Sequence, residues 1–326
     1  SVLRSTNNLP PQFSHNTQLK MLGSTPSALP ISKLPFFRDP GKLPCPLPTS
    51  EEIEAGTILP TKRERFSGDY GHVAIVGDHF IVKYGRYIRE NEGHVLLFLE
   101  KYPSIPAPLL YAMYRKDDIL YVIMQLLPGM DLLKVWDELS VKEKASICDQ
   151  LREIFGQMRT IPSPGYFGSV IGGPVQHRFF AWMDEDPRIN GPFDRLEDFH
   201  LGMALHSQKQ EECNDRHPWS SEWFARPLPQ ALKDHPGTFT HCDLVMQNIM
   251  VQEYPGSDGC TDRQFKVTGI IDWEIAGWYP RYWEYAVFFC DSLWAGDWEK
   301  MIETFIDPWP LEAALLRVFK VNLEGF

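Results

Sequence analysis

Eight residues, His241-Cys242-Asp243-Leu244-Val245-Met246-Gln247-Asn248, have the types and spacing that chemistry would need. Written H-x-D-x-x-x-x-N, they match a loop that serves transfer of the γ-phosphoryl group of ATP. The reaction explains the spacing. Asp243 must reach an acceptor hydroxyl and take its proton. Asn248 must turn back from the far end of the same loop to hold Mg²⁺ on the phosphates. The bare octamer favours a plainer reading, a buried histidine beside a surface aspartate. The elements around it change the balance.

Those elements must anchor the loop and bring charge to it. Ile249-Met250-Val251 reads as a short buried strand behind the loop. A second apolar run, Phe265 to Ile271, ends in Asp272-Trp273-Glu274. An acid directly after a strand can face a metal rather than the core. Far upstream, Val73 to Val76 and Phe80 to Lys83 read as a hairpin around Gly77-Asp78. Most strand lysines are solvated edge residues, but Lys83 follows the apolar pair Ile81-Val82. The stretch from Ile88 to Lys101 reads as a helix with Val95, Leu96 and Leu99 on one face. Glu92 lies three and four residues before Val95 and Leu96, on the same side. A carboxylate on an apolar face needs a partner, and pairing with Lys83 satisfies both. Glu90 is the weaker candidate, being rotated away from that stripe.

The stretches Thr240-His241-Cys242-Asp243-Leu244 through Asn248-Ile249, then Gly269-Ile270-Ile271-Asp272-Trp273-Glu274, then Gly277-Trp278-Tyr279-Pro280 and Tyr282-Trp283-Glu284-Tyr285, resemble the aminoglycoside phosphotransferase (choline kinase-like) family. The likeness is nearest to its filamentous-fungal branch and covers roughly residues 65 to 295. The resemblance implies an α+β, protein-kinase-like fold of two lobes. The N-lobe is a small antiparallel sheet with one helix, and the C-lobe is larger and mainly helical. Together with a Pro-rich N-terminal strap read from composition at 1–50, this divides the chain into a nucleotide-binding N-lobe at 51–127 and a catalytic C-lobe at 128–326. The resemblance implies ATP and Mg²⁺ as cofactors and a small-molecule hydroxyl as acceptor. By the same resemblance Lys83, fixed by Glu92, contacts the α- and β-phosphates. Backbone groups of a hinge at Gln125-Leu126-Leu127-Pro128-Gly129, represented by Gln125 and Leu127, meet the adenine edge. Asp243 is the catalytic base, His241 buttresses the loop, and Asn248 and Asp272 hold the metal. Residues 176–235 correspond to the insert that shapes the acceptor pocket. The chain departs from the family in two places: Gln125 stands where Glu is usual, and Cys242 where Gly is usual. Glycine permits positive φ, which cysteine does not readily adopt.

The remaining stretches supply scaffold. Pro26, Pro30, Pro35, Pro40, Pro44, Pro46 and Pro48 prevent a continuous helix or sheet near the N-terminus, so that region is expected to wrap over the body. A phosphate-covering loop is expected either at Gly68 to His72 or at the Gly77-Asp78 turn; neither reads G-x-G-x-x-G. Leu109 to Tyr114 and Ile119 to Met124 read as strands, and Asp131 to Glu138 as a short helix. Ser140-Val141-Lys142-Glu143 is a capping box. It opens a helix whose apolar side runs Ile147, Cys148, Leu151, Ile154, Phe155, Met158. Trp278 to Phe289 reads as an aromatic turn and helix, better suited to core packing than to a cage for a cation.

The chain has 326 residues, enough for two lobes with sizeable cores. Its net charge of −11 argues against nucleic acid as a partner. An acidic chain suits a cationic acceptor, although excess surface acid also simply confers solubility. The six cysteines form no C-x-x-C pair and no N-x-S/T sequon occurs. No apolar stretch would span a bilayer and no signal-peptide core opens the chain. A reducing, cytoplasmic setting is expected. The first residue is Ser1 rather than Met, as expected of a processed or cut chain. Two other readings stand beside a small-molecule kinase. One is a kinase-like tailoring enzyme of fungal natural-product biosynthesis. The other is a pseudokinase that binds nucleotide or a partner without turnover, against which the retention of Lys83, Asp243, Asn248 and Asp272 argues. H-R-D, D-F-G and A-P-E are absent, which speaks against a protein kinase.

Overall fold

Alternating apolar residues drive the first half of the chain into a sheet. The computed structural model describes residues 34–60, 71–180, 183–255, 263–294 and 296–324. In chain order it forms β1 (Phe36–Phe37), α1 (Ser50–Glu54), β2 (Thr57–Ile58), β3 (His72–Val76), β4 (Phe80–Gly85), α2 (Glu90–Leu99), β5 (Leu110–Lys116) and β6 (Ile119–Gln125). The strands join antiparallel in the order β1-β5-β6-β4-β3-β2. One face of this N-lobe sheet buries Ala74, Val76, Phe80, Val82 and Ile123 beneath Ile53 of α1 and the loop side chains Leu43 and Leu47. The opposite face, through Leu120, Val122 and Met124, packs on α2 and runs into the core of the C-lobe. Of residues 34–50, Phe36 and Phe37 form the edge strand, with Leu34 and Phe36 packed toward the inner core, while Leu43 and Leu47 cover the outer face; the first 33 residues of the expected strap fall outside the described residues.

The C-lobe begins with β7 (Met130–Asp131), followed by two 3₁₀ turns, Leu132–Lys134 and Trp136–Glu138. The helix expected over 131–138 is replaced by these turns because β7 pairs with a later strand, which fixes Met130 and Asp131 in extended backbone. Next come α3 (Val141–Thr160), α4 (Pro187–Asn190), α5 (Leu196–Cys213), α6 (Trp219–Phe224), α7 (Pro227–Ala231) and β8 (Gly237–Thr240). The catalytic-loop 3₁₀ turn Met246–Asn248 leads into β9 (Ile249–Pro255), then β10 (Arg263–Ile270), β11 (Gly277–Pro280), α8 (Trp283–Asp291), α9 (Trp298–Phe305) and α10 (Pro310–Glu324). The expected aromatic turn at Trp278 is thus a strand, paired with β8.

Helix α3 starts where its capping box places it: Glu143 N–H donates to Ser140 Oγ and Ser140 N–H to the Glu143 carboxylate. Its buried side chains are Ile147, Cys148, Leu151, Ile154, Phe155 and Met158, the stripe read from the sequence. Each apolar side chain so buried contributes about 1.5–3 kcal/mol, which makes α3 the spine of the lobe. The linker between lobes rests directly on the catalytic strands. Gly129 has φ +100, and a Cβ there would lie 2.1 Å from Val251 O in β9. Thr268 Oγ1 donates to Pro128 O at 2.8 Å. Only glycine fits so close a backbone approach.

Candidate active site

The strand register decides what can surround Lys83. In the β3–β4 hairpin Val73 pairs with Lys83 and Val76 with Phe80. The Gly77-Asp78 turn is therefore at the far end from Lys83 and is an ordinary hairpin turn, not the phosphate cover. The other candidate, at Gly68 to His72, lies mostly outside the described residues.

Lys83 Nζ donates to Glu92 Oε1 at 2.8 Å and to Asp272 Oδ1 at 2.7 Å. Its side chain is 13% exposed, that of Glu92 3% and that of Asp272 36%. Burial works against the Lys83 charge, but the carboxylates of Asp272, Glu92 and Glu274 override it and hold the ammonium above its ordinary range. Burial also pushes the Glu92 carboxyl up, to about 7, against the pull of Lys83. Glu90 points elsewhere, to Arg115 at 2.8 Å. One ammonium thus joins a helix of the N-lobe to a loop of the C-lobe. Asn91, the residue before Glu92, adds a second clamp: its Nδ2 donates to Glu274 O at 3.0 Å and Ala276 O at 2.9 Å.

The loop bearing Asp243 is held by backbone bonds. Ile271 N–H donates to Asn248 O at 2.9 Å, setting the residue before Asp272 against the end of the 3₁₀ turn. Asn248 Nδ2 donates to Asp243 O and to Asp243 Oδ2, both at 2.9 Å. With both amide hydrogens committed to Asp243, the Oδ1 atom is what this side chain can offer a cation. Asp272 stands just beyond β10 with φ +66. A carboxylate and an amide oxygen are hard donors that fit Mg²⁺, which takes few protein ligands and completes its shell with water and phosphate. No group of three or more His, Cys, Asp or Glu occurs with metal-binding geometry among the described residues, so a closed structural metal cage is not what this pair forms.

His241 is fully buried. Its Nδ1 accepts from Asp243 N–H at 3.2 Å. The ring therefore carries its proton on Nε2, which donates to Ile271 O at 2.9 Å. Both nitrogens are spent on backbone, which makes the ring a brace between the loop of Asp243 and the strand end at Asp272. Trp273 closes over it edge-on at 4.5 Å.

Sequence reasoning missed Glu284. This fully buried carboxylate, on the first turn of α8, accepts from His241 N–H at 2.8 Å and Cys242 N–H at 3.0 Å. Its signal was available: an acid among Tyr282, Trp283 and Tyr285 in an otherwise apolar helix must be satisfied by something. Cys242 has φ +74, the left-handed conformation that glycine would take without strain. The loop thus keeps its geometry in spite of the substitution. Burial, reinforced by Glu284, pushes the Cys242 thiol well above its ordinary value, so it sits as a neutral filler.

Gln125 ends β6, where its Oε1 accepts from Leu109 N–H at 3.3 Å, so the amide serves the linker's entry. Leu127 lies over the catalytic strand: a Cβ on Gly269 would meet its Cδ1 at 2.4 Å. The aromatic residues considered for a cage are core: Trp278, Tyr279, Tyr282, Trp283 and Tyr285 are all at most 3% exposed. A cavity of about 220 Å³ opens beside Asp243, lined among others by Leu133, Met246, Val287, Phe288, Asp291 and Trp298. Among the described residues, none of its lining comes from 176–235; from that region Arg178 grips Asp291 at 2.6 and 2.8 Å.

Known proteins share this fold. No curated protein matches the chain. Among solved structures, a thermostable mutant of aminoglycoside phosphotransferase APH(4)-Ia, in ternary complex with ADP and hygromycin B, superposes with a TM-score of 0.53 at 14% identity, over 84% of this chain and 90% of that one. ADP-bound aminoglycoside phosphotransferase APH(2'')-Ib superposes with a TM-score of 0.50 at 14% identity, over 81% of each chain. These likenesses show the fold, that of the two-lobed kinase-like enzymes. Residues 66–313 match the phosphotransferase enzyme family, and the chain belongs to it.

Proposed function

We propose that the protein transfers the γ-phosphoryl group of ATP to a hydroxyl of a small molecule. The observation that carries this reading is the Lys83 ammonium. It bridges Glu92 of the N-lobe and Asp272 of the C-lobe while Asn248 braces Asp243 alongside. Such an arrangement does little covalent chemistry of its own; it positions reactants and offsets charge.

In this reading Lys83, held by Glu92, receives the nucleotide's α- and β-phosphates. The linker at Gln125 and Leu127 borders the adenine. Asn248 and Asp272 would hold Mg²⁺, which when bound neutralises charge on the phosphates. Asp243 accepts the proton of the acceptor hydroxyl as its oxygen attacks the γ-phosphorus and ADP leaves. His241 and Glu284 keep the Asp243 backbone in place and exchange no proton with the acceptor. The setting expected for this chemistry is the cytoplasm. No helix of the described residues is long and apolar enough to cross a membrane.

The test is ATP consumption by purified protein, with Mg²⁺, across a panel of amino alcohols, aminoglycosides and uncharged alcohols. At least one acceptor should raise ADP release well above the rate of Asp243→Asn. Tight nucleotide binding with no acceptor-dependent ADP release from any class would instead favour the pseudokinase reading.

A further inference from the structure

The cavity beside Asp243 has a chemistry of its own. Its walls are Leu133 from the 3₁₀ turn after β7, Met246 from the catalytic loop, Val287 and Phe288 from α8, and Trp298 from α9. Val287 and Trp298 are 5% and 6% exposed, so these walls are fixed by packing rather than by mobile surface chains. The next residues after Ser292, which also lines the cavity, are Leu293 and Trp294, 85% and 61% exposed. Trp294 packs on Phe289 of α8, ring centroids 4.9 Å apart.

The acids at this site are largely engaged. Asp291 receives Arg178 at 2.6 and 2.8 Å, and Lys320 as well. Those two cations also reach Glu324, at 3.6 and 3.7 Å, so the group as a whole carries two positive and two negative charges. Asp243 is oriented by Asn248. Glu299 accepts from Ser292 Oγ at 2.7 Å. A volume near 220 Å³ corresponds to about seven water-sized groups at about 30 Å³ each. An aminoglycoside has several sugar rings and several ammonium groups, and the apolar walls offer those polar groups no hydrogen-bond partners.

We infer that the part of the acceptor entering this cavity to present its hydroxyl to Asp243 is largely apolar, so that the acceptor is an alcohol on an alkyl or aryl group rather than a polyamine sugar. The inference rests on the phosphotransfer reading above. The acid-rich composition of the chain does not oppose it, since surface acid also confers solubility whatever the acceptor.

Three acceptor classes separate the outcomes: simple aryl-alkyl and branched alkyl alcohols, the same skeletons carrying an amino group, and aminoglycosides. ADP release with Mg²⁺-ATP gives kcat/KM for each, and thermal stabilisation of the ADP-bound protein by each compound gives binding without turnover. The uncharged alcohols should be used, and should stabilise the protein, with preference over their amino analogues of about tenfold, the order expected when an ammonium must leave water against apolar walls. Leu133→Glu, at a wall position that is 44% exposed and tolerant of charge, should shrink that preference at least tenfold, by the usual worth of an ion pair in a partly buried site. If Glu299 holds no ammonium, Glu299→Gln should not lower the use of the amino analogues by more than about threefold. Equal or better use of amino alcohols or aminoglycosides by the unaltered protein, or loss of their use in Glu299→Gln, overturns the inference and leaves phosphotransfer standing. Stabilisation by the uncharged alcohols with no ADP release from any class overturns phosphotransfer instead. No stabilisation by uncharged alcohols overturns the inference whatever the turnover.

Discussion

The two sides of the catalytic loop are built on opposite principles. On the side proposed for the nucleotide, the Lys83 ammonium bonds carboxylates of both lobes, Glu92 and Asp272, and the neutral amide of Asn248 bonds Asp243. Toward the acceptor, the walls are apolar, belong to the C-lobe, and owe their positions to helix packing: Val287, Phe288 and Trp298. The difference teaches where constraint lies. A triphosphate has fixed charge and shape, so the residue types that meet it are few. An acceptor offers one hydroxyl in common with others, and everything else about its pocket is open to the packing of α8 and α9.

The comparison breaks first at Asp243, which belongs to both sides. Asp243→Asn should lower turnover of an accepted alcohol by about two to four decades, the range of general acid–base catalysis. Nucleotide affinity by calorimetry should hardly move. Loss of ATP binding in this variant would make Asp243 a metal ligand and put it on the nucleotide side.

On the nucleotide side the Lys83–Glu92 pair can be dissected. Removing one partner of a buried pair costs about 3–5 kcal/mol at most. Glu92→Gln leaves Lys83 with Asp272, and Lys83→Met leaves Glu92, whose carboxyl is already pushed up to about 7 and takes a proton readily. Each single variant should weaken Mg²⁺-ATP binding and lower the melting temperature, and the double variant should fall well short of the sum. Strictly additive effects in both measurements would deny the contact any energetic role.

Glu284 lies beneath both sides, holding the loop from α8. A glutamine there keeps one acceptor oxygen and loses the other, leaving His241 N–H or Cys242 N–H unpaired in the core. Glu284→Gln should therefore cost about 1–3 kcal/mol of stability in denaturant unfolding. Turnover should drop with it, while nucleotide affinity, set by Lys83 and Asp272, should hold. An equal loss of affinity would mean that the two sides are not separable through this helix.

The smallest expected effect is at Cys242. A non-glycine residue in left-handed backbone costs about 1–2 kcal/mol, and the buried thiol recovers part of that through packing. Cys242→Gly should change unfolding stability by less than about 1 kcal/mol and leave turnover near that of the parent. A large gain in activity would show that the cysteine strains the loop.

Much of this was legible in the chain. The α3 stripe from Ile147 to Met158 follows from a 3.6-residue period and a capping box, both local properties. Lys83 and Glu92 could be paired because each sits on an apolar run nine residues apart in sequence and neither charge survives burial alone. The order of Asp243, Asn248 and Asp272 is written along the chain because one loop and one strand end carry them. Other features were decided only in three dimensions. That Lys83 also takes Asp272, 189 residues away, depends on how the lobes close. That Glu284 braces the loop 42 and 43 residues before it depends on where α8 docks. That α8 and α9 supply walls of the cavity beside Asp243 depends on helix packing, which no local period encodes. Sequence determines the elements and the charges that must find partners; the choice among distant partners belongs to the tertiary structure, because burial couples residues by their distance in space and not along the chain.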